Sequence, residues 1–229
     1  VVPIALNSPE SRAPGFLASS IGRKVIMAVT GLILFGFVVG HLIGNLQVYL
    51  GPEALNHYAV FLRTVLHGAG LWMARAVLLA AVILHIWSAT SLTLESRRAR
   101  PVGYREQKWK ESTYASRTMR WSGVILLLFI VYHLLHMTTG TAHPSFVEGD
   151  VYHNFVTGFQ SVPISIAYIV AMIALGLHLR HGVWSMFQTL GVSHPRYIGF
   201  AHAAAWFFAI LVVVGNISFP IAVLAGIVK

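Results

Sequence analysis

Five apolar runs, at 24–48, 71–95, 121–141, 162–188 and 200–227, alternate with polar stretches along the chain. An α-helix rises about 1.5 Å per residue, so about 20 mostly apolar residues cross the hydrocarbon of a bilayer. Each run therefore predicts one spanning helix. The expected fold class is an all-α integral membrane protein whose five transmembrane helices form one bundle. Residues 1–20 lack a signal-peptide layout and read as a short polar arm, leaving 21–229 as a single membrane domain. Arg75 and Arg180 sit near the ends of the second and fourth runs, where long side chains can snorkel to the interface.

Composition agrees with this pattern. The chain is 56% hydrophobic and only 10% charged, with a mean hydropathy of +0.71, whereas soluble domains carry about 25% charge. There is no cysteine, which removes disulfides, iron–sulfur ligation and covalently attached c-type haem.

Charge orients the helices. Arg12, Arg23, Lys24, Arg97, Arg98, Arg100, Arg105, Lys108, Lys110, Arg117, Arg120 and Arg196 fall in the arm and in the connections 96–120 and 189–199. The other two connections, 49–70 and 142–161, carry Arg63 and little else. By the positive-inside rule the N-terminus is expected in the cytoplasm and the C-terminus outside. Trp72, Trp109, Tyr114, Trp121 and Tyr197 fall near the expected interfaces, as aromatic anchors do. The net charge of +9 is no nucleic-acid signal, because the basic residues lie between apolar runs rather than along one face. Glu10, Glu53, Glu95, Glu106, Glu111, Glu148 and Asp150 all lie outside the spans or at a helix end. A proton pump or cation-coupled transporter usually buries a carboxylate, so that class loses ground.

Histidine is the polar residue that does enter the spans. "YHLLHM" (132–137) and "GLHLRHGVW" (176–184) each hold two, and His41 and His85 interrupt two further runs. One such residue is ordinarily interhelical glue; histidines on four of five helices point to a site. With the orientation above, His41 lies about 7 Å outside mid-span, and His133 and His136 about 3 and 8 Å outside. His85 lies about 4 Å inside, and His178 and His181 about 4 and 9 Å inside. Helices one and three thus share an outer level, and helices two and four an inner one. Two stacked haems, each held by an imidazole from either side, require that arrangement. With both axial positions filled the iron has no open site for substrate, which suits electron transfer. Zinc fits less well, since no HExxH, cysteine or buried carboxylate completes a tetrahedral site.

Gly36, Gly40 and Gly44 form a small-residue stripe beside His41, and Gly182 follows His181. They can admit a flat macrocycle, or equally pack helices closely. Ser19, Ser20, Arg23, Arg120 and Arg180 are candidates for haem propionates at the cytoplasmic edge.

The segments "SSIGRKVIMAVTGLILFGFVVGHLIGN" (19–45), "RTMRWSGVILLLFIVYHLLHMTTG" (117–140) and "HLRHGVWSMFQTLG" (178–191) resemble the cytochrome b membrane subunit of bacterial succinate:quinone oxidoreductases. The resemblance is to the single-subunit, five-helix, two-haem type and extends from residue 19 to about 215. It implies two haem b groups with His41, His85, His133 and His181 as axial ligands. Combined with the depth argument, it pairs His85 with His181 in the proximal, cytoplasmic haem and His41 with His133 in the distal one. His136 and His178, one turn away on similar faces, remain competitors. Some relatives place a glutamate two residues before the fourth-helix ligand for proton movement; here that position is Leu179.

The resemblance further implies a subunit of succinate dehydrogenase in the bacterial cytoplasmic membrane, passing electrons to quinone, with menaquinone expected. Its partners are a flavoprotein and an iron–sulfur subunit on the cytoplasmic face, besides membrane lipid and quinone; a higher oligomer of the complex stays open. No succinate-oxidising site is expected in this chain. The basic segment 97–120 offers a docking surface. Quinone candidates on the cytoplasmic side are Ser88, Ser91, Arg117, Trp121, Trp184 and Gln188; on the outer side they are Asn45, Glu53, His57, Arg63 and His67. The rival readings are fumarate reduction on the same architecture, a cytochrome b anchor of a hydrogenase or formate dehydrogenase, a haem-free scaffold, and a transporter.

Overall fold

A computed structural model describes residues 15–99, 114–192 and 194–229. Most of the N-terminal arm, and Arg100, Arg105, Lys108 and Lys110 of the expected docking surface, lie outside the described residues. The described residues contain no strand. Among them, five helical stretches are long and apolar enough to cross a bilayer: Ser20–Leu50, Pro52–Arg98, Ser116–Thr138, Val162–Thr189 and Pro195–Leu224.

The helix ends follow local chemistry. Helix α1 (Ser20–Asn45) starts where the Ser19 hydroxyl accepts the Gly22 N–H at 3.0 Å. The connection 49–70, which carries no span, folds largely as α2 (Pro52–Thr64). Its start uses Gly51 at φ 100°, proline at the first position and Glu53 in the first turn. Leu66, His67 and Gly68, at φ 51°, 55° and 88°, then turn the chain into α3 (Ala69–Arg98). Two consecutive non-glycine residues in the left-handed region make this a strained corner. Helix α4 (Tyr114–His133) ends in a π turn, Leu134–Thr138, that carries His136. The second outer connection forms α5 (Val151–Phe159), capped by Asp150, whose carboxylate accepts the His153 N–H at 2.9 Å. Helix α6 (Val162–Thr189) and helix α7 (Pro195–Leu224) complete the chain, the latter capped by His194 Nδ1 accepting the Arg196 N–H.

Helix α6 packs on α7 and on α4, and α1 packs on α3. Small residues set these approaches. Gly176 lies against Val213 and the Ala209 carbonyl, beside the buried Ala201, Ala205 and Ala209 of α7. Gly215 meets Leu42. The main apolar cluster gathers toward the end where α2 and α5 lie, joining Leu42, Val48 and Leu55 to Phe155, Phe159, Tyr168, Phe219 and Val223. Asn56 of α2 ties this end together: its amide donates to Asp150 Oδ1 at 3.0 Å and its carbonyl accepts the Tyr152 N–H at 3.0 Å. Along α3, by contrast, only Ala81 and Ser88 are buried. Apolar side chains such as Leu32, Ile83 and Val170 face outward, as a lipid solvent allows.

Candidate functional site

Two pairs of histidines face each other across the helices. At the level nearer α2 and α5, the rings of His41 (α1) and His133 (α4) have centroids 5.9 Å apart and planes at 83°. Each is backed by a phenylalanine one turn earlier: His41 stacks on Phe37 at 5.3 Å and His133 on Phe129 at 5.7 Å. At the other level, His85 (α3) faces His178 (α6) with centroids 6.3 Å apart and planes at 57°. Thr30 or Ser122 is eleven residues before His41 or His133, so the levels are about 16 Å apart along the helices.

The second level is held by two hydroxyls. Thr30 Oγ1 lies 2.7 Å from the Ile26 carbonyl, to which it donates, and 3.2 Å from His85 Nδ1. Ser122 donates to the Met119 carbonyl at 3.0 Å and its oxygen lies 3.2 Å from His178 Nδ1. Both hydroxyl residues are buried. With the hydroxyl protons on those carbonyls, the ring proton would sit on Nδ1 and Nε2 would keep its lone pair. A glycine follows each hydroxyl residue, and the imidazole lies alongside it at ordinary contact distance. A Cβ at Gly31 would stand 3.4 Å from His85 Cε1, and one at Gly123 would stand 4.0 Å from His178 Cε1.

The two halves repeat one another in sequence. "TGLILFGFVVGH" (30–41) and "SGVILLLFIVYH" (122–133) share Gly, Ile, Leu, Phe, Val and His at matching positions. The hydroxyl-to-histidine separations match as well, 55 residues from Thr30 to His85 and 56 from Ser122 to His178. A search for internal repeats finds this signal; a reading by hydropathy and single motifs passes over it.

The doublets separate in space. His133 turns to His41, whereas His136, on the π turn, is fully buried and stacks on Tyr132 at 5.4 Å and on His143 at 4.8 Å. Tyr168 of α6 bridges the doublet, with its phenol oxygen 3.2 Å from His133 Nδ1 and 2.9 Å from His136 Nδ1. The Nε2 of His136 is buried without a hydrogen-bond partner among the described residues. Of the second doublet, His178 faces His85, while His181 contacts Trp184 of its own helix at 6.1 Å. His85 and His181, paired by the sequence reading, are thus not the rings that face each other.

Several other expected site residues have separate partners. Arg23 pairs with Glu95 at 2.8 Å, and Arg180 lies 4.1 Å over the Trp206 ring. Ser19 caps α1. Trp184 stacks on His202 of α7 at 4.9 Å. Ser88 is fully buried with its hydroxyl unpartnered. Arg23, Ser91, Leu94, Glu95 and Arg98 line a cavity of about 340 Å³ at the end of the bundle away from α2. The glycine stripe divides: Gly44 meets the Tyr58 ring of α2, whereas Cβ atoms at Gly36 and Gly40 would touch nothing within 4 Å. On the side of α2 and α5, the His153 N–H and the Asn56 amide hold the Asp150 carboxyl below the usual carboxylate range.

The donor set fits haem iron. Among the described residues no cluster of three or more His, Asp or Glu side chains gathers to hold a free ion. Paired neutral imidazoles suit a metal that brings its own equatorial donors. The centroid separations of 5.9 and 6.3 Å are of the size that two imidazoles on one metal would need. In three of the four facing rings a hydroxyl engages Nδ1, the outer-shell partner that ligating histidines ordinarily have.

Fold and site together define a multi-pass, all-helical membrane protein that presents paired imidazoles at two depths. The chain belongs to the succinate dehydrogenase/fumarate reductase transmembrane subunit family, whose model matches residues 96–217. That stretch contains α4, α5 and α6, with His133 and His178, and most of α7. No curated protein and no solved structure matches the chain.

Proposed function

We propose that the chain is the membrane anchor and di-haem b electron-transfer subunit of a succinate dehydrogenase. It takes electrons from an iron–sulfur subunit docked, with its flavoprotein, on the cytoplasmic face, and delivers them to quinone, with menaquinone the expected acceptor. The N-terminus and the His85 level lie on the cytoplasmic side of a bacterial membrane, as the distribution of arginine and lysine supports. The observation that carries this reading is the repeated register of hydroxyl, glycine, phenylalanine and histidine on α1 and α4, which accompanies facing imidazoles at two levels.

His41 and His133 hold the distal haem. For the proximal haem the expectation of His85 with His181 stands beside a second candidate, and ring facing together with the Ser122 hydrogen bond favours His178. Haem bound at these histidines would supply one-electron redox chemistry. The protein's own part is to fix ring orientation through Thr30, Ser122 and Tyr168. The zero-cysteine composition leaves iron–sulfur chemistry to a partner.

The test is a dithionite-reduced minus oxidised spectrum of the purified complex, with haem quantified as its pyridine adduct. Two haem b per chain are expected, and none in a haem-replete preparation overturns the reading. His178→Ala and His181→Ala then separate the ligand candidates, since only loss of the true ligand removes the proximal haem from an assembled complex. Succinate–quinone and quinol–fumarate rates on the same preparation determine the working direction.

A further inference from the structure

Among the described residues, Tyr168 is the side chain that hydrogen-bonds both histidines of the "YHLLHM" doublet. A phenol has one proton to give and lone pairs to accept with. If His133 uses Nε2 as an axial donor, its proton resides on Nδ1, and that N–H must donate to the Tyr168 oxygen at 3.2 Å. The phenol O–H then has one acceptor in reach, His136 Nδ1 at 2.9 Å. His136 in turn carries its proton on Nε2, the buried atom without a partner. His143, stacked on His136, is fixed independently: its Nε2–H donates to the Asn154 carbonyl at 2.8 Å and its Nδ1 accepts the Ser145 N–H at 3.1 Å. The chain of hydrogen bonds therefore runs one way, from His133 through Tyr168 to His136.

We propose that Tyr168 is a positioning residue that sets the reduction potential of the distal haem, through a polarised hydrogen bond to its axial ligand. A phenol that is itself donating is a better acceptor, because hydrogen bonds in series polarise one another. Stronger acceptance from His133 Nδ1–H gives the imidazole more anionic character and greater basicity, which favours ferric over ferrous iron. The facing ligand has no counterpart, since no hydrogen bond to His41 is present among the described residues. The proximal ligands bond aliphatic hydroxyls whose own protons go to helix carbonyls. Helix α6, the helix of His178, thus also governs the distal level through Tyr168, which is 6% exposed and packed among Phe129, Tyr132 and Phe159.

The inference rests on the di-haem reading, and one experiment separates their failures. The experiment is a potentiometric titration of the haem α-bands in the intact complex, wild type against Tyr168→Phe, with electron paramagnetic resonance of the oxidised haems. The expected result is an upward shift of the distal midpoint with an unmoved proximal midpoint, and altered g-values confined to the distal signal. His136→Leu, which removes the acceptor of the phenol proton, shifts the distal midpoint the same way by less. Fewer than two haems in the wild type sinks the di-haem reading itself. Two haems with an unmoved distal midpoint, or an equal shift of both, overturns the role of Tyr168. Should Tyr168→Phe lose the distal haem, Tyr168→Gln restores an acceptor. Recovery of the haem there supports the proposal, and loss in both variants reduces Tyr168 to packing.

Discussion

Ser122→Ala tests the proposed ligand geometry at a residue outside the proposed ligand set. Ser122 is 3% exposed, and its oxygen is the acceptor of His178 Nδ1–H. The hydroxyl's own donation goes to Met119 O, a helix carbonyl, so its loss leaves the backbone of α4 intact. A free imidazole can turn or move its proton to the other nitrogen, whereas a ligated one keeps the proton on Nδ1. The penalty therefore falls mainly on the ligated state. An unpaired buried N–H costs about 1–3 kcal/mol, and loss of an outer-shell partner typically weakens metal binding about 10–100-fold. At about 1.4 kcal/mol per tenfold the two figures agree. The assay is the rate at which each haem leaves the detergent-purified complex to excess apomyoglobin. Faster loss of the proximal haem by about one to two orders of magnitude is expected, with the distal rate unchanged. Thr30→Val, which removes the equivalent acceptor of His85, acts in the same direction. An unchanged proximal rate in Ser122→Ala, with haem loss confined to His181→Ala, refutes the assignment of His178 and the anchoring role of Ser122.

Gly158→Ala places a Cβ 2.9 Å from His136 Cε1 and 3.0 Å from His143 Nε2. Overpacking of about 1–3 kcal/mol is expected, read as a lower melting temperature of the complex with the proximal haem spectrum unaltered. Gly44→Ala drives a Cβ into the Tyr58 ring and destabilises comparably, whereas Gly40→Ala meets no atom within 4 Å and leaves the melting temperature unchanged. The folded Asp150 carboxyl titrates below its unfolded value of about 3.9. Its contribution is therefore complete above that value and is lost as pH falls through the lower folded one. Hydrogen exchange of residues 145–155 is expected to stay flat from pH 7 to 5, after correction for intrinsic rates, and to rise only below about pH 4. Asp150→Ala shows the faster exchange at every pH.

The spans were legible because the bilayer demands long apolar runs, and nothing else in the chain resembles one. Their limits shift by a turn where polar residues prolong a helix beyond the apolar stretch, as at Ser20 and at Arg97 and Arg98 of α3. Helices α2 and α5 carried visible starts, Gly51–Pro52–Glu53 and Asp150, but a scan for spans passes over short amphipathic helices. Tyr168 was beyond reach, because one tyrosine in an apolar run has no periodic or motif signal. Its meaning comes from the π turn at Leu134–Thr138, which brings His136 to the phenol beside His133.

The doublet on α6 shows which kind of sequence information bears on a ligand. His178 and His181 differ by about 100° times three around the helix, a net rotation of roughly 60°, and by about 4.5 Å in depth. Hydrophobic pattern cannot separate them. Nor does depth decide: it matches His85 with His178, both about 4 Å from mid-span, but by the same measure it would match His41 with His136 rather than with His133, the ring it faces. The repeat adds an independent constraint. If α4 and α6 reproduce the relation of α1 to α3, the histidine on α6 must answer the hydroxyl of Ser122 as His85 answers Thr30, at nearly equal chain separation. His178 meets this condition at 56 residues against 55. His181 lies most of a turn further on, where its ring meets Trp184. A ligand is thus identified less by its own motif than by the outer-shell partner that holds its other nitrogen. By that criterion, the pair to probe first at the proximal level is His178 and Ser122.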